Sequence, residues 1–186
     1  MNWNKYSDLK GTHAPLGASN YHWLSDDEDA LRARYINIKA KEKGTKLHEL
    51  AEQMILMRVR AENNDKTFNS YVNDAIGLDM KPEQVLYYSD NIYGTADAIK
   101  FSHNLLRIHD LKTGVKPASE LQLYIYAALF CLADNKKPGK IDMELRIYQN
   151  DDIRVFKPTA DIIAPIMDKI VWADKVITQI KGEIES

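Results

Sequence analysis

The order of apolar and polar positions divides the chain into helical and extended stretches. Ser25 followed by Asp26, Asp27 and Glu28 reads as an N-cap with acids in the first turn, where they favour the helix dipole, so a helix is predicted from about Asp26 toward Lys43. Gly44 is expected to interrupt it. A second helix then carries Leu47, Leu50, Ala51, Met54 and Ile55 on one face, with His48 and Glu52 one turn apart on the flank. Beyond a polar stretch around Glu62 to Lys66 the pattern becomes extended over Gln84 to Ser89, Ile92 to Phe101 and Leu105 to Leu111. Only Ser102-His103-Asn104 separates the last two runs, which makes them an antiparallel hairpin.

With the turn centred near His103 and Asn104, Asp97 and Asp110 fall almost opposite each other. Two facing carboxylates repel unless a cation sits between them. Strand alternation puts Leu106, Ile108, Asp110 and Lys112 on one face and Arg107 and His109 on the other. His103 and His109 are assigned to structure or surface. Lys116-Pro117 is expected to open a helix with Leu121, Tyr124, Ile125, Ala128 and Leu132 as its buried stripe, and with Gln122 and Tyr126 one turn apart beside it. A second hairpin joins Asp142 to Gln149 with Ile153 to Phe156. A long helix from about Thr159 then presents Ile163, Ile166, Ile170, Ala173, Ile177 and Ile180. The sequence of elements describes an α/β sandwich with a mixed sheet, expected as one domain. Its parts are a helical segment over about 1–65, a sheet and helix over about 84–134, and a hairpin and helix over about 141–185.

At 186 residues, 45% hydrophobic and 28% charged, the chain can bury one substantial core. No stretch approaches the roughly twenty apolar residues of a membrane span, so a cytoplasmic protein is expected. The single cysteine, Cys131, excludes an internal disulfide and any cysteine-rich zinc or iron–sulfur site within one chain, and its apolar surroundings predict a buried thiol. The formal net charge of -2 lacks the basic excess common among nucleic-acid binders, although an acidic metal cluster subtracts charge at a site that bound cations later restore. The basic segments Arg32 to Lys46 and Lys136 to Lys140 read as solvated faces. His13 and His22, with Trp3, Tyr21 and Trp23, make an aromatic N-terminal segment, read as packing across the sheet or the first helix in preference to stacking on single-stranded bases.

The chemistry concentrates in Gly94-Thr95-Ala96-Asp97, Asp110-Leu111-Lys112-Thr113-Gly114, Gln122 and Tyr126, downstream of Gly44-Thr45-Lys46-Leu47-His48-Glu49. Hard oxygen ligands, an imidazole and an ammonium are what metal-assisted cleavage of a phosphodiester requires. This ordered set resembles the PD-(D/E)XK nuclease superfamily in its RecB-type exonuclease branch, whose signature is a helix histidine, an aspartate after a glycine, an Asp/Glu-x-Lys pair and a Gln-x-x-x-Tyr helix. The corresponding residues are His48, Asp97, Asp110 with Lys112, and Gln122 with Tyr126. The resemblance implies a restriction-endonuclease-like sandwich with a central mixed sheet flanked by helices, like stand-alone phage exonucleases.

It further implies that His48, Asp97, Asp110 and the backbone carbonyl of Leu111 hold one or two Mg²⁺ or Mn²⁺ ions, with Glu52 contributing through water or to a second cation. Lys112 would orient the attacking water or stabilise developing charge, and Gln122 and Tyr126 would position Lys112 or the DNA backbone. Some relatives hold an iron–sulfur cluster with four cysteines; one cysteine implies none here. The chain also has no Gly-x-x-x-x-Gly-Lys-Ser/Thr motor loop. The implied activity is a metal-dependent exonuclease on linear DNA in phage-type recombination or DNA processing, acting on duplex ends or single strands. A single-strand annealing or recombination protein and a homo-oligomer are compatible partners. A structure-selective or single-strand endonuclease, and a non-catalytic DNA-binding module of nuclease fold, are the competing readings.

Overall fold

The computed structural model describes residues 5–184, so Trp3 lies outside the described residues. Contacts divide the chain into two compact units, the first ending at Thr45 and the second beginning at Lys46. Helix α1 (Glu28–Leu56) is continuous through Gly44, where a break was expected. A lone glycine inside a helix costs about 1 kcal/mol relative to alanine, which a helix of 29 residues absorbs. The cap also differs from expectation: Asp27 Oδ1 accepts the Ala30 N–H at 2.9 Å, while Ser25 Oγ donates to the His22 carbonyl at 2.9 Å. In this first unit Arg34 pairs with Asp26 at 2.7 Å, Arg32 with Glu28 at 3.4 Å and Lys39 with Glu42 at 2.8 Å, so acids close by compensate much of the first basic segment.

The second unit is built on a five-stranded sheet in the order β1 (Lys81–Ser89), β2 (Ile92–Ser102), β3 (Leu105–Leu111), β4 (Asp142–Gln149) and β5 (Asp152–Phe156). The β3/β4 pair is parallel and the other three are antiparallel, which makes the sheet mixed. Both predicted hairpins form, with His103 and Asn104 in one turn and Asn150 and Asp151 in the other, all at positive φ. Asparagine and aspartate tolerate that conformation better than most residues.

Helix α3 (Leu121–Ala133) makes the crossover from β3 to β4 and packs on the sheet, with α4 (Ala160–Ile184) against it. It starts at Leu121, four residues after the proline expected to open it. The preceding loop is pinned instead by buried Gln149, whose Nε2 donates to the carbonyls of Gly114 and Lys116 and whose Oε1 accepts the Ala118 N–H. The expected stripe is also displaced: Leu121 and Ile125 are exposed, and Leu123, Tyr126, Ala127, Leu129, Phe130 and Cys131 are buried with Ala128. A helix apolar nearly all round gives no phase to read, and contact with both the sheet and α4 selects the buried side. On α4 only Ile163 and Ile170 are fully buried, and Ile177 and Ile180 of the expected face are exposed.

The opposite side of the sheet carries a second cluster, in which Ala51 and Ile55 of α1 meet Tyr71, Val72, Ala75 and Ile76 of α2 (Thr67–Gly77), together with Ala98, Leu111 and Tyr148. Leu50, expected on the buried face of α1, is exposed. Helix α2 was not anticipated, although Phe68, Tyr71, Val72, Ala75 and Ile76 follow helical spacing. Among the described residues no helix is long and apolar enough to cross a membrane.

Candidate active site

The two sides of the sheet meet at a fault in β2. Ala96 belongs to the α3 cluster and Ala98 to the α2 cluster, although residues two apart on a strand ordinarily share a face. Alternation is therefore interrupted at Asp97. On the neighbouring strand Glu83 adopts φ +47°, and the pairs Pro82 with Ala98 and Gln84 with Ala96 set it across from Asp97. The regular ladder between β2 and β3 ends at Ala98 with His109, which leaves Asp97 and Asp110 as the next positions on the two strands, close to the opposition that the hairpin spacing predicted. The Leu111 N–H turns to donate to Asp97 Oδ2 at 2.8 Å. Three acids from three adjacent strands thus lie side by side where the sheet opens.

His48, on the part of α1 that joins the α2 cluster, brings Nδ1 to 3.5 Å from Asp97 Oδ2. One ligand atom each from His48, Glu83 and Asp97 lies within 4.8 Å of the others. Asp110 and Glu52, both expected as ligands by resemblance, are outside this group; the charge of Glu52 reaches Glu83 and helps to raise that carboxyl's pKa, behind burial and Asp97. Glu83 lies just before the extended pattern that begins at Gln84, and the strand itself starts at Lys81. The bulge between Tyr87 and Ser89 also shifts the register, so counting back from the turn puts Gln84 opposite Asp97.

The electrostatics are those of carboxyls crowded out of water. Burial, then the charge of Asp110, pushes the Asp97 pKa up to about 7, against the opposing effects of the Leu111 N–H and Lys112. Asp110 is 1% exposed and is likewise raised by burial, with Lys112 and His48 pulling the other way. Lys112 Nζ pairs with Asp110 Oδ1 at 3.0 Å, and Asp110 Oδ2 is buried without a hydrogen-bond donor. A buried oxygen without a donor next to a second carboxyl suits a hard or borderline divalent cation.

The lysine is held on its other side. Its Nζ donates to Gln122 Oε1 at 2.7 Å, and Gln122 Nε2 donates to the Tyr126 hydroxyl at 2.8 Å. The predicted pair on α3 therefore forms a chain running from the helix to the lysine. Tyr126 is packed against Gly94: a Cβ there would meet its Cε1 at 2.8 Å, which accounts for the glycine three residues before Asp97.

Behind the site, His109 is fully buried, and burial with Arg146 and Arg107 lowers its pKa to about 3. Its Nδ1 lies 3.2 Å from the Tyr148 hydroxyl, which donates to Asp74 at 2.7 Å, and Arg146 Nη1 donates to the same oxygen at 2.9 Å. The Lys112 N–H donates to the Tyr148 carbonyl at 2.9 Å, so this network and the Asp-x-Lys segment share β4 as a support.

No family model matches the sequence, and neither a curated protein nor a solved structure matches it.

Proposed function

We propose that the chain is a divalent-metal-dependent deoxyribonuclease, an exonuclease on linear DNA with a restriction-endonuclease-like fold of the RecB-type PD-(D/E)XK kind. The observation that carries the reading is the buried pair Asp97 and Asp110, bracketed by His48 and Glu83 on one side and by the lysine chain on the other. Proteins rarely bury two like charges without giving them a cation to hold.

Asp97, Asp110, His48 and Glu83, with the Leu111 carbonyl, would hold Mg²⁺ or Mn²⁺; the oxygen donors suit both ions, and the imidazole is one reason manganese would serve well. When bound, the cation supplies Lewis acidity toward phosphate oxygens and lowers the pKa of water. Lys112 places a fixed positive charge beside the reacting phosphate, where it orients the attacking water and offsets charge that grows in the transition state. Gln122 Oε1 fixes the ammonium, and Tyr126 fixes Gln122 in turn. Neither touches the acids directly, so both act as positioning residues.

The direct test offers labelled linear and closed circular DNA to the purified chain with Mg²⁺, with Mn²⁺ and with excess chelator. Expected is loss of label from linear DNA only when metal is present, abolished by Asp110→Ala. Cutting that persists in chelator or in the variant would overturn the proposal. Binding of DNA with no metal-dependent product would identify a non-catalytic module instead.

A further inference from the structure

On the β1–β2 hairpin, Leu86 joins the α3 cluster and Gly94 faces Tyr126 of α3, so their neighbours Tyr87 and Tyr93 project from the other side of the sheet. These tyrosines are cross-strand partners with ring centroids 6.4 Å apart and an interplanar angle of 26°. They are 51% and 63% exposed. Cross-strand aromatic pairs stabilise sheets, and this one also leaves more than half of each residue's surface open to water, where a further planar group can stack. Asp90 Oδ1 accepts the Tyr87 hydroxyl proton at 2.8 Å, which fixes that ring's direction.

The same sheet face leads back to the acids. Val85 and Thr95 are paired, both are exposed, and the next residues on that side are Glu83 and Asp97. Asp97 lies four positions beyond Tyr93, a distance of about 13 Å at the rise of a strand. The path is therefore continuous, short and without a bulky step. It runs from an exposed ring stack to the carboxylates that would engage a phosphate through a cation.

We infer that Tyr87 and Tyr93 form a base-stacking platform for an unpaired DNA strand, which holds it a few nucleotides from the scissile phosphate. The inference rests on the nuclease reading and adds the substrate form: the strand in the site is single. Unpaired bases offer free π-faces to such rings, and each stacked base is held without regard to its sequence, whereas bases in a duplex are already stacked on one another. Val85 and Thr95 leave the sugar-phosphate backbone room to pass toward Asp97.

The test separates binding from cutting. Binding of a labelled oligothymidylate and of a blunt hairpin duplex is measured by anisotropy in calcium, for wild type and for Tyr87→Ala, Tyr93→Ala and Tyr93→Trp. Circular dichroism checks that each variant is folded. Expected is a loss of about tenfold or more in single-strand affinity for each alanine variant, with duplex affinity unchanged. Tyr93→Trp should keep the affinity, and its indole fluorescence should be quenched on binding. Equal losses on both substrates, unchanged single-strand affinity in folded alanine variants, or no single-strand binding by wild type overturns the inference. Unchanged affinity alongside metal-dependent cutting would remove the platform and leave the nuclease reading standing. Tyrosine-dependent binding without any metal-dependent cutting would do the reverse.

Discussion

Replacing Asp110 with asparagine should stabilise the metal-free protein at alkaline pH while removing its response to metal. In the metal-free fold, burial and the charge of Asp110 hold the Asp97 pKa at about 7. An unfolded aspartate titrates near 3.9, so the shift is roughly three pKa units, or about 4 kcal/mol if all of it were realised. Because the folded value is raised, the stabilisation is complete below the unfolded pKa and is lost as pH rises through the folded one. Above about pH 7 the metal-free protein therefore carries an ionised Asp97 beside Asp110, whose own pKa is also raised by burial, and this is a state the fold disfavours. Burial is the larger cause and Asp110 the second, so the part that Asp110→Asn relieves is roughly 1–2 kcal/mol. For a chain of this length that is a rise in Tm of about 2–8 °C.

His109 works in the opposite sense, since a histidine lowered to about 3 adds stability as pH rises toward its unfolded value. Its contribution is common to both proteins and cancels in their difference. The assay is thermal unfolding in chelator and in Mn²⁺ at about pH 5.5 and about pH 8, for wild type and variant. Wild type should gain more from metal at the higher pH, because the ligands must be deprotonated to bind, and Asp110→Asn should gain little at either. A variant less stable than wild type in chelator at the higher pH, or one keeping the full metal-induced shift, would refute the argument.

Lys112→Ala should lower kcat by about a hundredfold to a thousandfold, the usual cost of one preorganised electrostatic group, with little change in metal affinity measured by titration. Glu83→Gln should weaken Mn²⁺ binding, read by calorimetric titration, because Glu83 belongs to the ligand group with His48 and Asp97; unaltered affinity would exclude it as a ligand. Gly94→Ala forces the Tyr126 ring aside and disturbs the chain through Gln122 to Lys112, so kcat should fall more than stability does, as seen by comparing turnover with the urea midpoint. Cys131, buried with its pKa raised to about 11, should resist thiol reagents in the native protein at neutral pH and react on unfolding.

How far the sequence reveals the fold depends on which interaction sets each element. The hairpins were legible because their geometry is local: His103-Asn104 and Asn150-Asp151 accept positive φ, and the apolar runs on each side fix the strands. Helix α2 has the right apolar spacing but is composed of Thr67, Asn69, Ser70, Val72 and Asn73, whose intrinsic helix preference is weak, and its packing against β3 and β4 supplies what propensity does not. Gly44 shows the converse, because a residue that weakens a helix does not end one already supported on both sides.

The site divides along the same line. Asp97 and Asp110 could be paired because a two-residue turn transmits register along antiparallel strands, and Lys112, Gln122 and Tyr126 follow from strand and helix periodicity. Glu83 depends on two departures from regularity that strand periodicity does not encode, the bulge beside Ser89 and the positive φ of Glu83 itself. These departures are also what the site needs. Cross-strand neighbours share a face, so a regular β2 counted back from Ile99 would put Asp97 on the α3 side beside Asp110, away from His48, and would turn Ala96 off that side. The interruption at Asp97 lets an acid facing His48 share a space with an acid on the α3 side of β3, so the break in the regularity of β2 is what joins the two halves of the centre.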